Sequence, residues 1–397
     1  MDYKRRDHSL VIANGKLYAI GSTFYNKSTR SMDTVKYIEE YDPNVNTWTV
    51  VGKMVFENAL SPLESGEFIM KATDLIKTNN EGVNSAAKLI LDAVKDGSIK
   101  HVAYSAMEVH PKSNDIKYLA DWIFFMDTVN FSFWPDEGQK FDVTWNGKTY
   151  TGYFAACAAV NKALESGKNV INAEWMATAT LDQVNELFAT DSGHPIPLLE
   201  ERVKAINNSG RVLLEKWNGT FLSCVEAANG SAQALLKIVV DNFESFRDVA
   251  QFRGKTVCIL KRAQILVADV HGALEEQHSK GFKDIDILTM FADYRVPQAL
   301  AYLGVLEYSP ELLSKLGPGR RLEAGSEEEV IMRGASIWAC ELIVREMDRL
   351  RGEDESYKDV RKVPATEVDM FVWVYRRQHA KEIEEKIPFH RTRTIYY

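Results

Sequence analysis

The chain has 397 residues, of which 45% are hydrophobic, so it is long enough to bury one large core or two medium ones. Its formal net charge is −8 with both signs interspersed. This argues against a non-specific binder of nucleic-acid polymers, because such proteins need a basic surface. No apolar run reaches the ~18 residues of a membrane span, and the N-terminus lacks the apolar stretch of a secretory signal.

The first fifty residues alternate short β-type runs with turn signals. The runs cover 8–13, 16–21, 35–42 and 47–54. The sequence YDPNVNTW, with Tyr41 and Trp48 seven residues apart, resembles part of one kelch repeat, a single blade of a β-propeller. One blade cannot bury its faces without neighbours, and the chain contains no second copy. We therefore interpret residues 1–53 as a short all-β, kelch-like fragment appended to the chain, with a kelch-type interaction domain as the alternative.

From residue 54 onward the pattern becomes helical. The sequence SPLE at 61–64 is a capping box with proline at the first helical position. An Asn-Gly pair at 146–147, centred in the alternating stretch 141–154, is typical of a β-hairpin turn. Further helices are predicted near 83–97, 116–131, 153–166, 180–190, 195–208, 230–243, 259–276, 296–304, 309–316, 327–350 and 366–386. This order predicts a mainly α fold, with residues 54–397 as one helical domain carrying a small β-hairpin.

A lysine opens the apolar helical stretch KRAQILVADVHGALE at 261–275, which also carries Arg262 and Asp269. A lysine in such a helix can extend its stem along apolar surface and keep its ammonium group in solvent. Alternatively, a partly desolvated ammonium group can contact a phosphate. Composition leaves both interpretations of Lys261 open.

One carboxylate stands among apolar and aromatic residues in TMFADYR at 289–295. Burying a carboxylate is costly unless it is paired or functional. Asp293 can form a salt bridge to Arg295, cap the helix before Pro297, or face a positively charged transition state. Cleavage of a glycosidic bond has such a transition state, because the sugar becomes oxocarbenium-like. The neighbouring Phe291 is suited to stack on a planar base.

The last predicted helix begins with DMFVWVYRRQH at 369–379. Asp369 and Trp373 are four residues apart on one face, and this face continues to Arg376 and Arg377. Aromatic residues at this spacing belong to a core more often than to a binding site. Asp369, at the start of an apolar segment, can also accept hydrogen bonds from the edge of a base.

Metal, serine-hydrolase and phosphate-loop chemistries lack their sequence signatures. The histidines have neither H-E-x-x-H nor H-x-x-x-H spacing, and no G-x-S-x-G or glycine-rich phosphate loop occurs. The four cysteines form no C-x-x-C pair, which indicates reduced thiols. We therefore expect no metal and no cofactor, in a cytoplasmic protein with the nucleus as an alternative compartment.

Several long motifs resemble the queuosine salvage protein family, the queuosine 5′-phosphate N-glycosylases. They are NFSFW (130–134), GKTYTGYFAACAAVNKAL (147–164), ATLDQV (179–184), KRAQILVAD (261–269), FKDI (282–285), TMFADYRVPQ (289–298) and PFHRTRTIYY (388–397). The match runs from about residue 60 to residue 397. The resemblance implies a mostly helical fold distantly like that of DNA glycosylases. It also implies hydrolysis of the bond between ribose and the 7-deazaguanine base, which yields queuine for tRNA modification and ribose 5-phosphate.

The resemblance also implies roles for single residues. The catalytic aspartate of the family corresponds to Asp293, and its lysine on the sugar-phosphate side corresponds to Lys261. Positions of the base pocket correspond to Met107, Phe291, Asp369, Met370 and Val374. The family can carry His, Tyr and Asp where this chain has Met107, Met370 and Val374, and apolar side chains cannot make the same polar contacts. The implied partner is a small nucleotide, neither a nucleic-acid polymer nor a membrane, and the expected assembly is a monomer.

Two other functions stay open on the sequence alone. A glycosylase that acts on a flipped DNA base, or on another modified nucleotide, is the first; its DNA binding would weaken steeply with salt. A kelch-type interaction protein is the second. It would lose its function with residues 1–53, whereas an enzyme would keep its turnover without them.

Overall fold

A computed structural model describes the strand backbones within residues 5–53, and residues 59–98, 104, 107–317 and 320–397 in full. Helices dominate from residue 62 onward. In chain order they are α1 (Pro62–Lys71), α2 (Asn80–Lys95), α3 (Ile116–Thr128), α4 (Tyr153–Glu165), α5 (Ala173–Thr178), α6 (Leu181–Leu187), α7 (Leu199–Lys216), α8 (Leu222–Ala227), α9 (Ala232–Asn242), α10 (Lys261–His278), α11 (Val296–Tyr302), α12 (Pro310–Lys315), α13 (Glu327–Glu353), α14 (Ala365–Gln378) and α15 (Ala380–Lys386). Within the described residues, none of these helices combines the length and the apolar character of a bilayer span.

The N-terminal strands form one antiparallel sheet. They are β1 (Arg5–Arg6), β2 (Ser9–Ala13), β3 (Lys16–Asn26), β4 (Ser31–Asp42) and β5 (Thr47–Lys53). β3 pairs with β1, β2 and β4, and β4 also pairs with β5. The side chains of residues 1–58 lie outside the described part of the chain. The kelch-like interpretation and the domain boundary at residue 53 therefore stay predictions.

Short strand pairs connect the helices. They are formed by β6 (Ile76–Thr78), β7 (Asp142–Trp145), β8 (Lys148–Thr151), β9 (Val249–Phe252), β10 (Lys255–Cys258) and β11 (Leu306–Tyr308). The Asn-Gly pair at 146–147 joins β7 to β8, with both residues at positive φ (48° and 76°). A second hairpin, β9–β10, turns at Arg253 and Gly254 with φ of 46° and 79°. The sequence does not indicate this turn, because arginine is an unusual first residue in it.

The helical part confirms the predicted fold class. The capping box at the start of α1 forms, since Ser61 N–H donates to Glu64 Oε2 (2.9 Å) and Ser61 Oγ accepts from Glu64 N–H (3.4 Å). The stretch 366–386, predicted as one helix, is divided at His379 into α14 and α15. The sequence analysis does not predict α5 and α8, whose six residues each are too few for a periodic pattern.

Two packed hydrophobic clusters occupy the helical part. The first gathers α3, α4, α9 and α10 around buried aromatic rings, among them Phe124 and Phe221, which stack with centroids 4.4 Å apart. The second gathers α1, α2, α11, α13 and α14 with the loop that precedes α11. α10 belongs to the first cluster, whereas that loop and α14 belong to the second. All three carry the functional side chains, so the candidate site lies where the clusters meet.

Candidate active site

A cavity of about 550 Å³ opens between the two hydrophobic clusters. α10 contributes Lys261, Ile265 and Asp269, which follow one another at every fourth residue and so share one face of the helix. The other lining residues are Met107, His110, Asn130, Phe131, Ser132, Phe133, Trp134, Pro135, Lys140, Phe141, Thr151, Gly152, Tyr153, Phe154, Phe291, Asp293, Tyr294, Arg295, Asp369, Met370, Trp373, Arg376, Arg377, Ala380 and Tyr397. A cavity of this size is large enough for a nucleotide-sized ligand.

The structure brings most of the predicted site residues together in this cavity. Those that line it are Met107, Lys261, Phe291, Asp293, Asp369 and Met370. Val374 is half-buried on α14 and lies outside the lining. Its role stays a prediction. The face of α14 that the sequence analysis identified, from Asp369 to Arg377, turns toward the cavity rather than only into the core.

Asp293 uses one carboxylate oxygen to shape the loop before α11. Its Oδ1 accepts hydrogen bonds from the backbone N–H groups of Arg295 (2.7 Å) and Val296 (2.8 Å). The guanidinium of Arg295 pairs instead with Glu384 (3.0 Å). The predicted capping role of Asp293 is therefore present, and the predicted salt bridge is not. Within the described part of the chain Oδ2 accepts no hydrogen bond, so this half-buried carboxylate retains a free acceptor beside the cavity.

Lys261 begins α10 at the edge of the cavity. Its backbone N–H donates to Asp248 Oδ2 (3.0 Å), while its side chain is only 8% exposed, so the ammonium group does not extend into bulk solvent. Burial lowers the pKa of Lys261, and Asp293 is the strongest of the neighbouring charges that oppose this shift. No carboxylate among the described residues lies within ion-pair distance of the ammonium group. A cation that is buried, cavity-lining and unpaired is suited to bind an anion.

Asp369 lies beside Asp293 in the same cavity. Its Oδ1 accepts a hydrogen bond from the Phe291 backbone N–H (3.1 Å), which ties α14 to the loop before α11. Burial raises the pKa of Asp369 well above its usual range, and the negative charge of Asp293 raises it further. Asp369 is favoured as a neutral acid that can donate one hydrogen bond and accept another.

Two further carboxyl groups interact near the cavity-lining face of α10: Asp269, which lines the cavity, and Asp127 of α3, which lies outside the lining. Asp127 is fully buried, accepts a hydrogen bond from Asn130 Nδ2 (3.0 Å) through Oδ1, and has no partner for Oδ2. Burial raises the pKa of Asp127 to about 7. Burial also raises the pKa of Asp269 well above its usual range, and Asp127 adds to the shift. The positive charge of Lys261 opposes both shifts, and that of Arg262 opposes the shift of Asp127, but burial outweighs them.

Aromatic residues supply flat surfaces along the cavity. Phe154 and Trp373 meet edge to face with centroids 6.2 Å apart. His110 Nδ1 donates to the carbonyl oxygen of Tyr104 (3.1 Å), since that oxygen can only accept, and His110 Nε2 therefore accepts from the Tyr153 hydroxyl (3.0 Å). Burial lowers the pKa of His110 to about 4, so the ring is neutral at physiological pH. A neutral His110 thus fixes the orientation of Tyr153.

Three arginines that line the cavity form a separate group, the arginine rim, made of Arg295, Arg376 and Arg377. Arg295 and Arg376 share Glu384 as an ion-pair partner. The guanidinium of Arg377 stacks on the rings of Phe154 (5.0 Å) and Trp373 (4.9 Å). Two full positive charges on one carboxylate, with a third cation nearby, make the rim a second region suited to anions.

A buried ion-pair network supports the site from behind. Arg333 donates to both carboxylate oxygens of Asp248 (2.9 and 2.5 Å) and to Glu329 Oε1 (3.3 Å). Its Nε also donates to the carbonyl oxygen of Ala292 (3.0 Å), the residue before the predicted catalytic aspartate. Asp248 in turn accepts from the Lys261 backbone N–H. One network therefore holds both the loop before α11 and the start of α10.

The sequence analysis assigns no role to several of these residues. His110 and Arg333 carry no local signal, since their partners Tyr153 and Asp248 are distant in the chain. Asp127 bonds Asn130, three residues on, and the sequence analysis does not use this pair. Asp269 does carry a local signal. It follows Lys261 by eight residues, so helical periodicity places both on the same face of α10.

Comparison with known proteins agrees with the motifs. The family model described as queuosine salvage protein matches residues 109–397. A mouse protein is 44% identical over 340 residues, which cover 85% of this chain and 99% of the relative. A Schizosaccharomyces pombe protein is 36% identical over 84% of this chain and 99% of its own length. A bacterial relative from Sphaerobacter thermophilus is 38% identical over 74% of this chain and 89% of its own length. Each of these relatives is named queuosine 5′-phosphate N-glycosylase/hydrolase.

Proposed function

The chain belongs to the queuosine salvage protein family, and from this premise we propose that it hydrolyses the N-glycosidic bond of queuosine 5′-phosphate, with Asp293 carrying the chemistry. The products are queuine and ribose 5-phosphate. The observation that supports this role most directly is the free Oδ2 of Asp293, a carboxylate oxygen beside a cavity of nucleotide size.

The geometry suggests how the bond breaks. As the bond between C1′ and the base nitrogen lengthens, its electron pair moves to the base and positive charge develops on the sugar. Asp293 either stabilises that charge or attacks C1′. A water molecule then adds its hydroxyl group to C1′, displacing the Asp293 carboxylate if that bond has formed, and the remaining proton of the water neutralises the departing base. Oδ1 is already fixed by two backbone N–H groups, so the carboxylate is oriented before substrate binds. Preorganised charge of this kind needs little rearrangement during the reaction.

Lys261 has two proposed tasks. Among its neighbours, Asp293 does most to keep Lys261 protonated against the effect of burial, so this cation and this carboxylate act together on the substrate. Its ammonium group also contacts the sugar-phosphate side of the substrate, supported by its burial in the cavity wall and by its unpaired state in the described part of the chain. The arginine rim offers the alternative position for the 5′-phosphate.

The base is proposed to lie against Phe291, with Asp369 recognising one of its polar edges. Met107 and Met370 line the same cavity and contribute apolar contacts. Val374 is proposed to support this pocket through α14. Asp369 is suited to its role because its raised pKa leaves a neutral carboxyl group that can both donate and accept.

The partner and the setting are also proposals. A free nucleotide is favoured over a nucleic-acid polymer by the net charge of −8 and by a cavity that is lined with aromatic residues and has the size of a nucleotide. We propose that the protein acts as a monomer in the cytoplasm. The four cysteines are buried and unpaired, which suits a reducing compartment.

One assay tests the proposed function. Purified protein is incubated with queuosine 5′-phosphate, and released queuine and ribose 5-phosphate are measured by chromatography and mass spectrometry. Queuosine without the phosphate and a DNA duplex are run in parallel. We expect queuine from the monophosphate and no base released from DNA. Release of a DNA base with steep salt dependence would overturn the proposal. So would the absence of queuine from both queuosine 5′-phosphate and queuosine.

A further inference from the structure

Asp269 is a cavity-lining carboxyl group that the proposed reaction does not use. It lies two helical turns beyond Lys261 on the same face of α10, about 12 Å along the helix axis. The side chain makes no hydrogen bond or ion pair with any described residue, and it lies half-buried in the wall of the cavity. A carboxyl group in such a position is costly to keep unless a ligand pairs with it.

The surroundings of Asp269 favour a positively charged ligand group. Asp127 lies close enough to raise the pKa of Asp269, and its Oδ2 has no partner. The arginine rim is associated with α14 and the loop before α11, not with this end of α10. Among the neighbouring charges, Asp127 raises the pKa of Asp269 and Lys261 lowers it, so two carboxyl groups share one ammonium group here. An ionised Asp269 would therefore attract a cation rather than a phosphate.

The proposed substrate carries a group of this kind. The 7-deazaguanine base of queuosine bears a side chain with a secondary aliphatic amine, which is protonated at neutral pH. The polar edge of the purine-like ring has its own proposed partner in Asp369, at the Asp293 end of the cavity. Asp269 is left for the group that projects from the ring, away from the bond that breaks.

We propose that Asp269 binds the cationic secondary amine of the base substituent and so selects substrates that carry it. This assignment rests on the proposed function, and it makes Asp269 a specificity-determining residue rather than a catalytic one. Binding the amine would draw Asp269 into its ionised form, so that the ion pair forms within the cavity. Asp293 and Lys261 would act equally on a base without the substituent.

Two matched substrates test the proposal. They are queuosine 5′-phosphate and 7-deazaguanosine 5′-phosphate. The second has the same ring and sugar but lacks the substituent that carries the secondary amine. For Asp269→Asn we expect kcat/KM on the first to fall roughly 10- to 100-fold, the scale of one charge-assisted contact. On the second it should stay unchanged. Asp269→Glu keeps the carboxyl group and should recover part of the loss. Melting curves establish that each variant is folded.

Dissociation constants of the free bases, queuine and 7-deazaguanine, separate the two proposals. These constants test the role of Asp269 even if the protein releases no queuine. In that case the proposed function fails, while the proposal for Asp269 can still be confirmed or contradicted. Asp269→Asn should weaken queuine and leave 7-deazaguanine unaffected. An equal loss for both bases, or no loss for either, would show that Asp269 does not recognise the amine.

Discussion

Two groups of buried charges lie close together in this protein and are arranged in opposite ways. The paired cluster consists of Arg333, Asp248 and Glu329, in which each carboxylate meets the guanidinium directly. The cavity cluster consists of Lys261, Asp269, Asp293 and Asp369, with Asp127 behind it, and no ion pair joins its members. Burying the charged groups of either cluster costs desolvation free energy. Only in the paired cluster do ion pairs within the protein offset this cost.

The difference indicates which charges serve the fold and which serve a ligand. An ion pair with good geometry and satisfied donors can be kept for structure, whereas unpaired buried carboxyl groups with raised pKa values mark a functional site. The clusters are also joined, because Arg333 bonds the carbonyl of Ala292 and Asp248 bonds the backbone of Lys261. The structural pair thus positions the functional groups.

The largest effect is expected from breaking the paired cluster. Arg333→Met removes the cation and leaves two buried carboxylates without a cationic partner, so the free energy of unfolding should fall by about 3–5 kcal/mol. Chemical denaturation measures this. Turnover of the remaining folded protein should fall as well, because the Ala292 carbonyl loses its donor. Unchanged stability would show that the pair does not hold the fold.

Asp293→Asn should reverse that pattern, with a large effect on turnover and little on stability. The charge acts mainly in the transition state, so kcat should fall at least ~100-fold with little change in substrate binding. Asparagine can still cap α11 through its side-chain oxygen, so the melting temperature should hold.

The matched control for this variant is Asp115→Asn. Asp115 caps α3 through the Tyr118 N–H (3.1 Å), is exposed and lies outside the cavity lining. It undergoes the same chemical change at a helix start without contact to substrate, so its turnover should be that of the wild type. If Asp293→Asn lowered the melting temperature and left the folded fraction active, the carboxylate would be structural.

Lys261→Ala should discriminate between substrates with and without the phosphate. A charge-assisted contact contributes roughly 1.5–3 kcal/mol, so binding of queuosine 5′-phosphate should weaken far more than binding of queuosine. Arg377→Ala is the companion variant, since Arg377 is the rim cation that stacks on Phe154 and Trp373 without an ion pair in the described residues. Loss of phosphate discrimination in Arg377→Ala alone would place the phosphate at the rim and exclude Lys261 from this contact.

The cavity cluster should also make the free energy of unfolding depend on pH. The pKa of Asp127 is raised to about 7 in the folded protein, above the unfolded value near 4. Its contribution to stability is therefore present at acid pH and is lost as the pH rises toward 7, by at most about 1.4 kcal/mol per pH unit.

Asp127→Asn removes this dependence. His110 and His390 act in the opposite direction, since burial lowers their pKa values to about 4 and about 3. The total slope of the wild type therefore mixes both effects. The free energy of unfolding of Asp127→Asn minus that of the wild type cancels the histidine contributions and leaves that of Asp127 together with its effect on Asp269. This difference should increase between pH 5 and pH 7. A constant difference would show that Asp127 is ionised in the folded state.

The sequence predicts the helical fold and the residues at the centre of the site better than the buried ion-pair network that holds them in place. The capping box at 61–64, the hairpin at 146–147 and the helical face of Asp369 depend on residues close in the chain, and periodicity or turn chemistry indicates them. The motif TMFADYR points to Asp293 in the same way. Arg333 and Asp248 are 85 residues apart, and only the tertiary fold brings them together. Nor can local pattern show that an Asp293 oxygen is left unpaired.

The smallest effect is expected from removing residues 1–53. The helical part begins with its own attachment, because Leu60 N–H donates to the Thr256 carbonyl oxygen (3.0 Å) of β10 and the capping box follows at once. The match with the mouse relative covers 99% of that relative but only 85% of this chain. The remaining 15% of this chain therefore has almost no counterpart in the mouse sequence. The shortened chain should keep its kcat, and its melting temperature should change by less than about 2 °C, the scale of ~1 kcal/mol in a domain of this size. The paired cluster and the cavity cluster both lie beyond residue 58, so neither loses a contact named above. A marked drop in melting temperature with turnover retained would mean that the N-terminal sheet packs on the helical part, and a loss of turnover alone would mean that it contributes to the site.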